Sequence, residues 1–324
     1  MLRRELMVLS VVLVGCGDPK PDDSGEPYDS GGDTDTSDTA LEDTGPDDTG
    51  DPLEGWIDIA VATDHACAVH ADGHLACWGH DATMVVSNAP YTGTWTDVAI
   101  GSGRACAVAA EGGVTCWGDD EFGLASEAPG TGSYVEVVMT YGDACARDDD
   151  GQVACWPSVS QLPGAVPPGL VATQLAAGEV HVLALDASGA ITAFGMEYQG
   201  EVSGTPTSTG WTGIGAGDGV SCAIDAGGEL SCWGRTEMGL TNPPAGVFTS
   251  IGTGVGSVLC AIREDQRGLC WGGGAEGATT PPTDVLFRQL VGGSQASCGI
   301  DTDGAIHCFG SDSYGLVSAA PSST

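Results

Sequence analysis

The chain has 324 residues and a formal net charge of −36, from 45 acidic and 9 basic side chains. This charge argues against a protein that grips nucleic acid or an anionic membrane through a basic face. The 52 glycines and the aromatic content of 6% favour many short strands and tight turns over a helical bundle.

Residues 1–16 have the pattern of an export signal. Arg3 and Arg4 precede an apolar stretch at 6–14. As a helix this stretch is about 14 Å long, too short to cross a hydrocarbon core of about 30 Å. The stretch ends in LVGC (13–16), which resembles the lipobox of bacterial lipoproteins. The resemblance implies that Cys16 is lipidated and begins the mature chain. An ordinary signal peptide with an incidental cysteine is the alternative.

Residues 17–54 have the composition of a disordered tether. The segment is rich in Asp, Thr, Gly and Ser, and its 14 acids face Lys20 alone, for a net charge of −13. So little apolar surface cannot offset the entropy of ordering the chain, and like charges keep it extended. Calcium binding by DTGPDDTGD (43–51) is the functional alternative.

From residue 55 the sequence repeats seven times at a pitch of 38 or 39 residues, as in ACAVAAEGGVTCWG (105–118). Twelve cysteines form pairs ten residues apart: Cys67 with Cys77, Cys106 with Cys116, Cys145 with Cys155, Cys222 with Cys232, Cys260 with Cys270, and Cys298 with Cys308. The fourth repeat has Leu183 and Ala193 at these positions, so it lacks both cysteines together. Joint loss is expected of bonded partners, and neither the spacing nor the sparse histidines provides four-ligand zinc sets. The pattern predicts one disulfide within each of six repeats.

The spacing also predicts a β-hairpin in each repeat. Pairing Cys67 with Cys77 leaves 71–73 as a three-residue turn that ends in Gly73, where left-handed backbone is required. In the sixth repeat the glycine moves to Gly268, which leaves its turn or register open.

Each repeat adds an earlier strand-like run, such as 94–100, and a weaker run after Trp-Gly, such as 122–128. Four short strands in about 38 residues are typical of a propeller blade. The predicted fold is therefore all-β: a seven-bladed β-propeller of four-stranded blades, with a disulfide within six of them. We expect the blades at about 55–93, 94–131, 132–170, 171–209, 210–247, 248–286 and 287–324.

The repeat A-C-A-V-x-x-x-G-x-V-x-C-W-G resembles that of the regulator-of-chromosome-condensation family. A second glycine six residues past the aromatic residue, as at Gly123 and Gly315, strengthens the resemblance. The short pitch is similar to that of the compact bacterial branch, which includes a secreted β-lactamase inhibitor propeller. The resemblance covers about 55–324 and implies the fold more firmly than the function, because the family includes a nucleotide exchanger, an inhibitor and binding platforms.

Two variable sets of side chains are candidates for a partner-binding face. Family repeats usually carry His two residues before the first cysteine position, where this chain has His65, Arg104, Asp143 and His181, then Val220, Val258 and Ala296. The first four predict a polar patch; a loop position that tolerates any residue is the alternative. The second set follows Trp-Gly and supplies possible hydrophobic anchors, which alternatively pack under their own loops: Phe122, Tyr198, Met238 and Tyr314.

Enzyme chemistry has little support in the sequence. It contains no Gly-x-Ser-x-Gly elbow, no phosphate-binding loop and no His-Glu-x-x-His helix. His70 and His74 are predicted to face each other across the first hairpin and, with His80, are an alternative metal site. We interpret them as incidental surface histidines, so no metal and no cofactor are expected.

The sequence thus predicts a non-enzymatic protein-binding platform on the cell envelope, exported and lipid-anchored to the outer membrane of a bacterium, at the cell surface or in the periplasm. The 30 acids and six arginines of 55–324 predict a basic protein partner. We expect a monomer that contacts the membrane through its lipid anchor only and binds no nucleic acid. The alternatives are a polysaccharide-acting enzyme with a site in the central channel and a passive structural surface protein.

Overall fold

The computed structural model describes residues 55–120, 123–157, 166–252 and 254–322, all within one compact unit. The predicted export signal, the lipidation at Cys16 and the tether lie outside these residues. No helix within the described ranges is long and apolar enough to cross a membrane.

Twenty-one strands form seven antiparallel sheets of three consecutive strands each, which we number blades 1 to 7. The only helix in the described part of the chain is a 3-10 turn at Glu237–Gly239. The strands are β1 (Trp56–Val61), β2 (His65–His70), β3 (Leu75–Gly79), β4 (Trp95–Gly101), β5 (Arg104–Ala109), β6 (Val114–Gly118), β7 (Tyr134–Met139), β8 (Ala144–Asp148), β9 (Val153–Trp156), β10 (Gln174–Ala177), β11 (His181–Leu185), β12 (Ile191–Gly195), β13 (Gly213–Gly217), β14 (Val220–Ile224), β15 (Leu230–Gly234), β16 (Phe248–Ile251), β17 (Val258–Arg263), β18 (Gly268–Gly272), β19 (Phe287–Val291), β20 (Ala296–Asp301) and β21 (Ile306–Gly310).

All six disulfides predicted within the repeats are present, with Cα–Cα distances of 4.0–4.1 Å. The bonds join Cys67 to Cys77, Cys106 to Cys116, Cys145 to Cys155, Cys222 to Cys232, Cys260 to Cys270, and Cys298 to Cys308. Each bond crosslinks the second and third strands of its blade, where the two cysteines lie directly opposite each other. Blade 4 is held together without a disulfide, because Leu183 lies opposite Ala193.

The hairpin between the second and third strands has the predicted register and turn. Gly73 ends the first turn at φ +89°. The sixth repeat keeps the same register, because Gln266 takes the left-handed conformation (φ +65°) that glycine supplies elsewhere. The displaced glycine of that repeat therefore changes the turn residue and leaves the strand pairing intact.

The predicted fourth strand is not formed in the described residues, where the chain after the third strand makes a compact turn. An aspartate at the start of the turn accepts backbone N–H groups that a strand would donate to its neighbour. Asp120 Oδ1 accepts from Ala125 at 2.8 Å, and Asp81 and Asp312 bind the equivalent groups of their repeats. This side-chain competition with the backbone explains why residues 123–128, the described part of the predicted run, do not extend the sheet.

A tryptophan indole joins each of five blades to the one before it. Trp117 Nε1 donates to Val85 O at 2.8 Å, in the turn of the preceding repeat. The same bond recurs at Trp156, Trp233 and Trp271. Trp78 donates to Leu316 O at 3.0 Å and thereby joins blade 1 to blade 7. The seven blades therefore close into a ring.

A second set of contacts joins the first strands, which are neighbours around the axis of the ring. Asp58 Oδ2 accepts the N–H of Val98 at 2.7 Å, and Asp97 makes the same contact with the next blade. A bulge that precedes Asp97 in β4 accompanies this contact. Gln289 Nε2 donates to Asp58 Oδ1 at 2.7 Å, so these contacts also span the closure.

Trp117→Phe tests the indole contacts between blades. The change leaves the carbonyl of Val85 without its donor, and an unpaired buried group costs about 1–3 kcal/mol. Trp211→Phe is the matched control, because the buried Nε1 of Trp211 has no hydrogen-bond partner among the described residues. We expect urea unfolding to show a larger loss of stability for Trp117→Phe. Equal losses would contradict a stabilising role for the bond.

Candidate binding face

The first four candidate residues lie at one end of the sheets, where the first and third strands end; we call this end the upper face. All four are buried: His65 is 1% exposed, Arg104 3%, Asp143 5% and His181 0%. Arg104 and His181 reach the neighbouring blade, through Tyr141 O and Ser221 Oγ. A Cβ atom at Gly178 would clash with the His181 ring, so this glycine leaves room for it. The four side chains predicted to form a polar patch are therefore buried, and Arg104 is the one of them that lines a cleft. Their role in binding a partner stays a prediction.

His181 is held in the seam between blades 4 and 5. Its Nε2 lies 2.8 Å from Ser221 Oγ, which in turn donates to Glu201 O at 2.9 Å. Its buried Nδ1 has no partner within the described ranges. Burial lowers the pKa of His181 from 6.5 to about 4, so the imidazole is neutral at physiological pH.

His65 and His80 share the carboxylate of Asp64. His65 Nδ1 lies 2.7 Å from Asp64 Oδ1, and His80 Nδ1 lies 3.0 Å from Oδ2. Burial raises the pKa of Asp64, but hydrogen bonds from His80 and His65 outweigh burial, and the net shift is downward. The His80 ring also contacts the ring of Tyr314 at a centroid distance of 5.3 Å. Asp64 therefore fixes an imidazole at the surface beside an aromatic side chain of blade 7.

A cleft of about 370 Å³ lies between the loops of blades 1, 2 and 3 on the upper face. Its lining includes Asp64, His80, Arg104, Asp119 and Tyr141. The Arg104 guanidinium is held rigidly, since Nε donates to Asp119 O at 2.8 Å and Nη1 donates to Tyr141 O at 3.1 Å. Nη2 also lies 3.1 Å from Asp119 Oδ2. The cleft thus has fixed polar groups with known orientations.

Exposed hydrophobic side chains occur around the same face. Tyr198 is 69% exposed, and Met238 and Tyr314 are also exposed, as the interpretation of anchor residues requires. Phe122 lies outside the described residues. The sequence reasoning missed Met84 and Tyr141, which are 54% and 52% exposed.

Met84 had a detectable sequence signal. It occupies the position where five other repeats have glycine, six residues past the aromatic residue. Its φ is +58°, in the left-handed region that a side chain other than that of glycine or asparagine rarely adopts. The turn therefore keeps a strained, exposed methionine beside Thr83, which lines the cleft.

The carboxylates of the first strands have structural partners. Asp58, Asp97 and Glu136 each accept a backbone N–H from the next blade. Burial raises the pKa of Asp97 well above its usual value, and the charges of Asp58 and Glu136 add to this shift. Burial also raises the pKa of Glu136, against the lowering effect of Arg147. One oxygen of each of these carboxylates thus joins its blade to the next.

A carboxyl pair lies on the upper-face loops of blades 4 and 5. Burial and a hydrogen bond to Asp218 raise the pKa of Glu179 to about 7. Arg235 also forms an ion pair with Asp218.

The predicted grouping of His80 with His70 and His74 is not formed. His80 follows the upper end of β3, whereas the other two histidines lie at the hairpin turn at the opposite end of the strands. His70 and His74 do lie together, as the hairpin register predicts.

The buried His181 predicts a measurable pH dependence of stability. The unfolded state takes up a proton near pH 6.5 and the folded state only near pH 4. Its contribution is therefore present above pH 6.5 and is lost as the pH falls toward 4, by about 3 kcal/mol. His181→Gln retains a donor for Ser221 and cannot titrate. Urea unfolding between pH 7 and pH 4 is expected to show a smaller decrease for this variant; identical decreases would contradict the prediction.

Comparisons with known proteins agree with the ring of repeats. Residues 95–124 match the model of the regulator of chromosome condensation (RCC1) repeat. No curated protein sequence matches the chain significantly. The ectodomain of the receptor kinase CR4 from Physcomitrella patens is similar, with 24% identity, a TM-score of 0.66 and coverage of 80% of this chain and 75% of that chain.

Two further solved structures share the fold. The ectodomain of the receptor kinase ACR4 from Arabidopsis thaliana has 20% identity and a TM-score of 0.68, over 83% of this chain and 98% of that chain. Prp20p from Saccharomyces cerevisiae has 17% identity and a TM-score of 0.61, over 79% and 82%. One repeat of the chain therefore matches the RCC1 repeat, and the chain shares the fold of these propeller structures.

Proposed function

We propose that the chain is a non-enzymatic protein-binding platform, exported and attached to the bacterial outer membrane by a lipid on Cys16. The six disulfides indicate an oxidising compartment outside the cytoplasm. The lipobox-like LVGC at 13–16 supports the anchor, and the acidic segment 17–54 would serve as the spacer between membrane and ring.

The cleft on the upper face is the observation that carries the binding proposal. Its lining includes the exposed Tyr141 and polar groups that Asp64 and Arg104 hold in place. The exposed Met84 directly follows the lining residue Thr83. Tyr314 extends the same surface onto blade 7 through its contact with His80. Hydrophobic anchors around oriented polar groups are typical of protein-binding surfaces.

The charge of the ring supports a basic partner. Residues 55–324 have a net charge of −24, from 30 acids and six arginines. A field of this sign accelerates encounters with cationic surfaces and disfavours contact with nucleic acid. Prp20p, which has the same fold, is described by its binding to Gsp1p and histones. Use of the fold for protein binding is thus consistent with the proposal.

An enzyme in the central channel has weaker support. The carboxylates on the first strands already accept backbone N–H groups of the next blade, at 2.7 Å for Asp58 and Asp97. A general acid or base must have its carboxyl group within hydrogen-bond reach of the substrate proton that it transfers. The channel carboxylates are therefore better explained as parts of the fold.

Affinity capture with matched variants tests the binding face. The bait is the oxidised chain with Cys16→Ser, and the source is the envelope fraction of the parent cells. Tyr141→Ala and Met84→Gly are each expected to weaken capture of the specific partner by about tenfold, the loss of a typical anchor side chain. Met84→Gly places the glycine of the other repeats at a positive φ, so it is not expected to destabilise the turn.

Val247→Ala is the control, because Val247 is 42% exposed and directly precedes the start of β16, at the opposite end of the sheets. If all three variants capture the partner equally well, the partner binds a surface other than the cleft. Capture of no protein by the folded bait would favour the passive structural alternative.

The anchor has its own test. Cys16→Ser removes the only cysteine outside the repeats. It is expected to move the protein from the membrane fraction to the soluble fraction, since a serine cannot take the lipid. Membrane fractionation and intact-mass measurement of the wild-type chain report the anchor directly. An unlipidated wild-type chain, or a variant that stays in the membrane fraction, would contradict the proposal.

A further inference from the structure

The turn of the first hairpin brings two imidazoles and a carboxylate together at the end opposite the upper face. His74 Nδ1 lies 2.7 Å from Asp72 Oδ1, and His70 Nδ1 lies 3.0 Å from the same oxygen. The three ligand atoms lie within 4.8 Å of one another. The rings of His70 and His74 stack at a centroid distance of 4.6 Å.

The other repeats reveal that this cluster is not needed to build the turn. In four of them an aspartate at the His70 position accepts the N–H of the residue four places later; these are Asp148, Asp186, Asp225 and Asp301. Blade 1 replaces this aspartate with His70 and places His74 at the donor position. Its turn is closed by Asp72 Oδ1, which accepts the N–H of His74 at 3.0 Å. Blade 1 has therefore exchanged a simple turn for one that presents two imidazoles.

The sixth repeat has a different set of charges at the same three positions. Arg263, Asp265 and Arg267 occupy them, so a carboxylate lies between two cations. Guanidinium groups remain protonated and cannot bind a metal. Imidazoles lose their proton near neutral pH and then offer a lone pair to a cation. The two turns share a carboxylate but differ in whether its neighbours can act as metal ligands.

The dimensions of the cluster suit a tetrahedral metal centre. Zinc binds histidine nitrogen at about 2.0–2.1 Å and carboxylate oxygen at about 2.0–2.2 Å, which separates neighbouring ligand atoms by about 3.3 Å. The two separations from Asp72 Oδ1, 2.7 and 3.0 Å, reach this value after a small opening.

Packing restrains the two imidazoles. Trp56 is 3% exposed, and its ring contacts both imidazoles edge-on, at centroid distances of 5.3 and 5.0 Å. The disulfide between Cys67 and Cys77 crosslinks the two strands of the hairpin that carries the histidines. The net charge of −24 in 55–324 raises the local concentration of cations. Folding of the hairpin thus brings the ligands together before the metal binds, which lowers the entropic cost of binding.

We propose that His70, Asp72 and His74 form a surface site for a divalent transition-metal cation of the zinc class. The protein provides three ligands, two nitrogens and one oxygen. The fourth position faces solvent, because Asp72 and His74 are exposed. A water molecule or a side chain of a partner protein can complete the coordination.

The test is calorimetric titration of ZnCl₂ into the oxidised, chelator-treated chain at pH 7.5. All proteins carry Cys16→Ser, so that no free thiol competes for the metal. We expect one saturable site per chain. His70→Ala and His74→Ala are each expected to weaken binding at least tenfold, because each removes one of three ligands.

Two controls separate ligation from surface charge. His307→Ala removes another surface histidine that contacts an aspartate at 2.7 Å, Asp301, and is expected to leave zinc affinity unchanged. The double variant that combines His70→Arg with His74→Arg reproduces the sixth repeat, so it keeps cations beside Asp72 but cannot ligate. It is expected to unfold at a temperature close to that of the parent chain and to have lost the site.

The proposal is overturned if the parent chain shows no saturable binding at pH 7.5. It is also overturned if His70→Ala or the double arginine variant binds zinc as tightly as the parent.

Discussion

Each blade relies on its neighbours for hydrogen bonds that a single three-stranded sheet cannot make. The side chain of Asp58 accepts a backbone N–H from β4, and the indole of Trp117 donates to a carbonyl in blade 1. A sheet of three short strands also exposes both faces unless another sheet covers them. The blades are therefore stable as a ring, and the closure through Trp78 and Gln289 completes a cycle in which no blade lacks a neighbour.

This dependence has an electrostatic cost. Asp58, Asp97 and Glu136 make the same side-chain contact to the next blade, so their carboxylates lie near one another around the axis. Burial and repulsion from the other two carboxylates raise the pKa of Asp97. Later blades avoid the repulsion with a neutral side chain: Gln174 makes equivalent contacts to Ile214, and Gln289 donates to Asp58. In blades 4 and 7 an amide thus keeps a hydrogen bond to the next blade without adding a charge.

The hairpin of each repeat could be predicted from the sequence, because disulfide bonds and tight turns have restricted geometry. The spacing of Cys67 and Cys77 determined the hairpin register, because a disulfide and a three-residue turn leave few other pairings. The seam positions were not predictable in the same way, because the environment of His181 depends on Ser221, which lies in the next repeat. His65 has the same side chain but faces no such hydroxyl, and its Nε2 lacks a partner among the described residues. The predicted fourth strand is not seen in the described residues for a related reason, since the carboxylate of Asp120 competes with the backbone for hydrogen bonds.

The sheets are each built from one uninterrupted stretch of chain, with strand order following sequence order in all seven. No strand crosses from the beginning of the chain to complete the last sheet in the described residues. Duplication or deletion of a whole repeat would therefore add or remove a complete blade without breaking a sheet. The contacts between blades also repeat at nearly constant spacing. An inserted copy would therefore carry the hydrogen-bonding groups for the blade before it and for the blade after it. A gene organised in this way can change the size of the ring in single evolutionary steps, and each copy is then free to acquire a surface of its own.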